Sequence, residues 1–340
     1  MKVDYHVHLE EGPYSFKWLE RTSQTIHTFS YPAESRHTIK WMKDTLSKLN
    51  DRVHKGAYDS SWLDLYLESA KRKGIREVGI VDHLYRFTDS RKYFETYMVL
   101  DESPIGQLQN QWLGQVMTER MDHFFEAVSA AKEKWEKQGI LLRVGIEADY
   151  FENSENELKE LLSCHDWDYI NGSVHFLHGW GFDNPQMKDR FEKYDLNELY
   201  QHFFRIVEKG IRSGLFDFMS HLDNLKVFGY RPHEESLIPS YKRIVKALKE
   251  MDVATEVNAG LYYRFPVKEM CPSKTFLNLL LEENVPVTLS SDAHFPDDLG
   301  AYASENAAML VEKGIREIAT FKKRERIMKP LRLLSEISTS

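Results

Sequence analysis

Seven places along this chain carry side chains suited to holding metal ions: His6 with His8, Asp82 with His83, Glu147, His175, His221, Glu256, and Asp292 with His294. Imidazole nitrogens bind zinc, manganese and iron, and a carboxylate can reach two ions at once. Ions held about 3.5–4 Å apart can share a water, lower its pKa toward neutrality and offset the charge of a phosphoryl group. Strand side chains alternate, so residues two apart point the same way. His6-Val7-His8 is then a two-pronged metal arm, and Asp292-Ala293-His294 repeats the device. One such pair alone is usually incidental, and Asp-His pairs are common in turns. Their recurrence is the signal.

Each of these places ends, or lies within, a short apolar run: Lys2–Tyr5, Val78–Val81, Leu141–Ile146, Tyr169–Val174, Phe216–Ser220, Val253–Val257 and Val285–Ser291. Runs of this kind predict buried strands. Helical spacing fills the gaps: Trp62 to Ala70 before Gly74, Met117 to Trp135 before Gly139, and Leu199 to Ile211 before Gly214. Ile238 to Met251, a helix capped by Ser273 and running through Leu280, and Ala303–Val311 complete the set. Val- and Ile-rich strands alternating with helices predict a parallel sheet in an α/β fold. Seven units without a Pro-, Gly- or Ser-rich linker fit a closed barrel, with an eight-stranded barrel or an open doubly wound sheet as alternatives. Barrel enzymes carry their chemistry at the C-terminal ends of the strands, where the ligand-type residues fall. Two insertions, approximately 11–59 and 84–115, leave from that same end and are rich in aromatics. They are expected to cover the pocket, or else to build a subdomain or an oligomer contact.

A chain of 340 residues, 42% hydrophobic and 29% charged, is long enough for one large barrel. Its net charge of −8 argues against nucleic acid as the main partner, which would need clustered Lys and Arg. A small phosphorylated substrate remains compatible with it. The two cysteines, Cys164 and Cys271, argue against a disulfide framework or thiolate cluster. No secretory signal or apolar run of about 18 residues is evident, so a cytoplasmic location without a membrane partner is expected. A homo-oligomer is compatible with the sequence. His27, His37, His54, His123 and His202 carry no spacing signal.

DYHVH at 4–8, VDH at 81–83, GIEADY at 145–150, NGSVHFLHGWGFDNP at 171–185, SHLDNLKVFGYRP at 220–232, EVNAGL at 256–261, CPS at 271–273 and SSDAHFPDDLG at 290–300 carry a resemblance. The chain resembles the polymerase and histidinol phosphatase (PHP) superfamily, and within it the histidinol-phosphatase branch. Only the two insertions fall clearly outside the likeness. It implies a distorted (β/α)7 TIM-like barrel, a single domain over 1–340, holding two or three divalent ions (zinc, manganese or iron). His6, His8, Glu147 and Asp292 would surround the first ion, and Glu147 would bridge to a second held by His175 and His221. His83 and His294 would hold a third. The pattern wants one more carboxylate shortly after the HxH, and Leu9-Glu10-Glu11 offers Glu11 or Glu10.

The activity implied is hydrolysis of L-histidinol phosphate to L-histidinol and phosphate by a metal-bridging hydroxide, with Glu147 and Asp292 catalytic and Asp292 able to accept the water's proton. Arg231 and Arg264 are the candidate phosphate clamps, since guanidinium suits bidentate phosphate recognition. Family members often have an arginine directly after AGL, whereas Tyr262-Tyr263 intervene here. Asp82 is expected to orient an imidazole, Glu256 and Asn258 to support the site or contact substrate, and Asp4 and Asp223 to be scaffold. His165 and His178 are read as pocket-lining or solvent-facing. The same site on another substrate (a nucleotide, a phosphodiester or a phosphotyrosyl protein) is the alternative enzyme. An inactive metal-binding scaffold is the alternative of another class.

Overall fold

The computed structural model describes residues 2–10, 12–30 and 36–331. All seven apolar runs become parallel strands. The first four are β1 (Val3–His8), β2 (Glu77–Val81), β3 (Leu141–Asp149) and β4 (Tyr169–Ser173). A small hairpin follows, β5 (Phe176–Leu177) with β6 (Trp180–Gly181), and then β7 (Phe218–Met219), β8 (Ala254–Asn258) and β9 (Val287–Ser290). The sheet runs β1-β2-β3-β4-β7-β8-β9. Beyond β9, Val7 bridges Ala293 in parallel, and the His8 N–H donates to the Ala293 carbonyl at 2.7 Å. First and last strands therefore meet, and the fold is a nearly closed seven-stranded barrel rather than an open sheet or an eight-stranded ring.

Burial on both faces explains why the strands read as continuous apolar runs; β1, β2, β8 and β9 are buried throughout. The first insertion folds as α1 (Phe16–Ser30) and α2 (Ile39–Lys55), leading into α3 (Ser60–Lys73). Asp59 caps α3 by accepting from the Ser61 N–H, and Gly74 ends it in the left-handed conformation. The second insertion folds as two 3-10 turns, α4 (Arg91–Tyr97) and α5 (Pro104–Val116), ahead of α6 (Met121–Lys137). The remaining helices are α7 (Glu155–Leu162), α8 (Leu196–Arg212), α9 (Glu234–Met251), α10 (Gly260–Arg264), α11 (Lys274–Glu282) and α12 (Ala303–Glu312). None of the described helices is long and apolar enough to cross a membrane.

Both insertions pack on the barrel rather than standing apart: Trp18, Ile26 and Leu49 share a core with Trp62, Tyr66 and Leu67 of α3. Glu10, just past β1, fastens the first one, accepting from Trp18 Nε1 at 2.6 Å and Arg52 Nη2 at 2.7 Å. The opposite barrel end is closed by a hairpin absent from the sequence reading, β10 (Glu317–Lys322) with β11 (Glu325–Pro330). There Phe321 packs on Phe218 with ring centres 5.3 Å apart, and its N–H donates to the Tyr5 hydroxyl at 2.9 Å.

Candidate metal centre

Glu147, near the end of β3 and fully buried, sits between two groups of histidines. Its Oε2 lies 3.3 Å from His6 Nε2, 3.4 Å from His8 Nε2 and 2.7 Å from His83 Nδ1. Its Oε1 lies 3.0 Å from His221 Nε2 and 3.7 Å from His175 Nε2. Asp292 joins from beyond β9, with Oδ1 3.7 Å from His8 Nε2 and 3.6 Å from His294 Nδ1. Period-two alternation in β1 turns His6 and His8 to the same side.

Backbone geometry brings two of these side chains in. His221 (φ 23°) and Asp292 (φ 56°) both have positive φ, which L-residues seldom adopt. Gly260 lies against the Asp292 carboxylate, and a β-carbon there would collide with it. Glycine is thus the residue that permits the approach.

Among the described residues, four sets of three donors have their ligand atoms within 4.8 Å of one another: His8/His83/His294, His6/Glu147/His221, His6/His8/Asp292 and His83/Glu147/His175. Buried polar atoms normally find hydrogen-bond partners. Yet, close as they lie to one another, His6 Nε2, both ring nitrogens of His8, His83 Nδ1 and Glu147 Oε2 make no hydrogen bond of good geometry with the described residues. The charge states agree with a cation site. Burial, helped by neighbouring imidazoles at His8 and by Arg264 at His294, holds both well below the usual histidine range, leaving neutral lone pairs. Burial pushes Asp292 up, but His6 and Arg264 outweigh it and keep the carboxylate ionised. A divalent ion requires neutral imidazoles and ionised carboxylates; against the pull of burial, the surrounding carboxylates raise His6 and His175 instead, and an ion bound there would take the place of the protons they attract, so the residues fit the metals the sequence implies.

An outer carboxylate orients one ring, Asp149 lying 2.8 Å from His175 Nδ1. Asp82 approaches His8 Nδ1 at 3.6 Å without a hydrogen bond to it, and accepts from the Leu9 N–H and the Tyr58 hydroxyl. Asp149 escaped the sequence reading. The available signal was its place two residues after Glu147, on the same face of β3.

Above the cluster opens a cavity of about 460 Å³ whose lining includes His83, His175, His221, Asp292 and His294. Gly12, Trp18 and Arg21 of the first insertion and Tyr85, Arg86 and Trp112 of the second form part of its wall. Arg264 reaches it, with Nη1 3.2 Å from the Asp292 carbonyl and 3.3 Å from Oδ1. Arg231 does not. Its guanidinium is held by both oxygens of Glu269 at 2.7 Å, and Arg231 is not among the residues that line the cavity. Glu10 is likewise engaged by Trp18 and Arg52 instead of the histidines, and Glu11 lies outside the described residues. His178 stacks on His202 at 4.3 Å and His165 on Phe125 at 4.6 Å, neither joining the cluster. Arg86, fully buried in the cavity wall, was not singled out by its sequence context.

A β/α barrel whose strand ends converge on histidines and carboxylates defines a metal-dependent hydrolase. A profile of the PHP domain matches residues 59–260. The "probable histidinol-phosphatase" of Deinococcus radiodurans is 32% identical over 212 residues, 61% of this chain and 77% of that one. That of Clostridium acetobutylicum is 23% identical over 259 residues, 71% of this chain and 95% of its own. Among solved structures, the histidinol phosphate phosphatase of Lactococcus lactis complexed with zinc, L-histidinol and phosphate superimposes with a TM-score of 0.62. That match is 15% identical, covers 96% of this chain and 98% of the other, and is a likeness of fold. The chain belongs to the PHP domain family, and its class is that of a metal-dependent phosphatase.

Proposed function

We propose that the protein hydrolyses L-histidinol phosphate to L-histidinol and phosphate, with His6, His8, His83, Glu147, His175, His221, Asp292 and His294 holding two or three divalent ions. The observation that carries this reading is Glu147, one oxygen among His6, His8 and His83 and the other facing His175 and His221. Zinc, manganese or iron bound there would supply a water of lowered pKa and neutralise phosphoryl charge. Asp292, ionised and lining the cavity, accepts the proton that the attacking water gives up. Arg264 offers its guanidinium to the phosphate oxygens. Trp18, Trp112 and Phe265 give the cavity wall an apolar part.

The substrate assignment is supported by the shared name of the two relatives and by the ligands of the Lactococcus lactis structure. In this reading the chain works as one PHP domain in the cytoplasm, with both insertions serving as the cavity's roof. Protein reconstituted with manganese or zinc should release phosphate from L-histidinol phosphate, and His175→Ala should abolish it. Turnover that survives chelation would overturn the mechanism. Faster turnover of a nucleotide, a phosphodiester or a phosphotyrosyl peptide would replace the substrate.

A further inference from the structure

We propose that α2 is a homodimer seam: two copies of this chain join through a parallel pair of α2 helices in their first insertions. This concerns assembly and does not depend on which phosphate ester the metal site takes.

Eleven large hydrophobic side chains are exposed among the described residues, and four of them, Ile39, Met42, Leu46 and Val53, lie on α2. Their exposures run from 42% to 74%. At about 100° per residue they fall within about 60° of the helix circumference. Apolar side chains scattered singly over a surface are ordinary, but a continuous stripe marks a contact. The stripe is not what holds α2 on its own molecule. α2 buries Thr45, Leu49 and Arg52, and that line, anchored by Arg52 on Glu10, lies about a quarter turn away.

The spacing is that of a helix paired with another helix. Ile39, Met42, Leu46, Leu49 and Val53 follow one another at intervals of three, four, three and four, the a and d positions of a heptad repeat. Positions a hold Ile39, Leu46 and Val53, and positions d hold Met42 and Leu49. β-Branched residues at a with leucine at d favour two parallel strands. In that pairing Thr45 flanks Asn50 of the second copy and Thr38 flanks its Lys43, so no like charges meet. The quarter turn selects the same direction. A twofold axis along parallel helices carries the two barrels to opposite sides of the seam, whereas antiparallel helices would bring both barrels into one space. A seam this short would not order a free peptide. Here the helix is already set by the Thr38 cap and the Arg52 tie, so pairing costs little further ordering.

The test uses the full chain in sedimentation velocity and in cross-linking. Wild type is expected to show a reversible monomer–dimer equilibrium with Kd of about 1–20 µM, the weak end for so small a contact. Leu46→Glu, which sets an unpaired charge in the seam, should raise Kd at least about 100-fold while its circular dichroism matches wild type. Ile39→Glu is the second probe of the same kind. For cross-linking, Cys164→Ser removes the exposed cysteine. In that background Ile39→Cys and Val53→Cys should each form a disulfide-linked dimer alone under mild oxidation, because like residues face each other in a parallel pair. Linkage only between mixed Ile39→Cys and Val53→Cys chains would mean antiparallel helices and overturn the proposal. A chain still monomeric at about 100 µM would also overturn it, as would a dimer that persists in both glutamate variants. Monomers that sediment with phosphatidylserine vesicles, and cease to in Leu46→Glu, would assign the stripe to a membrane surface instead.

Discussion

Glu256 holds His6 by the ring nitrogen turned away from Glu147: a Glu256 oxygen lies 3.1 Å from Nδ1, while Nε2 faces Glu147 at 3.3 Å. The same carboxylate accepts the His221 backbone N–H at 2.8 Å and the Asn258 side-chain amide at 2.8 Å. One side chain of β8 thus sets the ring of His6 and the backbone that carries His221. A carboxylate at Nδ1 fixes the tautomer whose Nε2 lone pair can take a metal.

Replacing that carboxylate should therefore be felt in metal affinity before anything else. Glu256→Gln is expected to weaken zinc binding by about 10- to 100-fold, measured by competition with a chromophoric chelator. An affinity equal to wild type would mean that the His6 ring is set by packing alone.

The two arginines should part company in kinetics. Arg264 lies against Asp292 in the cavity, so Arg264→Ala is expected to lower kcat/KM by about 100-fold through lost phosphate stabilisation. Arg231 is spent on a partly exposed pair with Glu269, and Arg231→Ala should cost at most about 1 kcal/mol of stability with kcat/KM within about twofold. Steady-state kinetics on both variants decide it, and a large kinetic loss from Arg231→Ala would put that side chain back at the phosphate.

The contrast between these arginines shows where sequence reading works. The histidines and Glu147 were legible because each is tied to the end of a short apolar run, and strand geometry then delivers all of them to one end of a barrel. Arg231 lies on a loop, and its pairing with Glu269 joins residues far apart in sequence, which no local pattern encodes. Glu10 was ambiguous for the same reason, because its partner Arg52 comes from the far end of the first insertion. The β10–β11 hairpin was hidden by its composition: only Ile318, Ala319, Thr320 and Phe321 of β10 are buried, and none of β11 is.

Glu10 gives a prediction that separates clamp from ligand. Glu10→Ala strands the buried Arg52 guanidinium, and breaking such a pair should cost about 3–5 kcal/mol in chemical denaturation. Amide exchange in α1 and α2 should quicken, since both helices lose their tie to the end of β1. Glu10→Gln should retain the wild-type metal stoichiometry. A variant short of one ion per chain would make Glu10 a ligand and the Arg52 contact secondary.

A second buried ion pair sets the response to alkali. Lys226 is almost wholly buried, with Nζ 2.9 Å from Asp223 Oδ2 and 2.7 Å from the Met270 carbonyl. Burial alone would lower its pKa, but Asp223 outweighs burial and holds it above the ordinary lysine value. A folded pKa above the unfolded one means that the native state keeps this proton longer. The resulting stability is complete below about pH 10.4, the unfolded value, and is lost as pH rises through the folded value. Lys226→Met, which leaves the buried Asp223 carboxylate with the Ser273 N–H but no cation, should cost about 3–5 kcal/mol at neutral pH. The gap between wild type and variant should hold steady up to about pH 10 and then close. Urea unfolding at a series of pH values measures it, and a gap that widens with alkali would contradict the pairing.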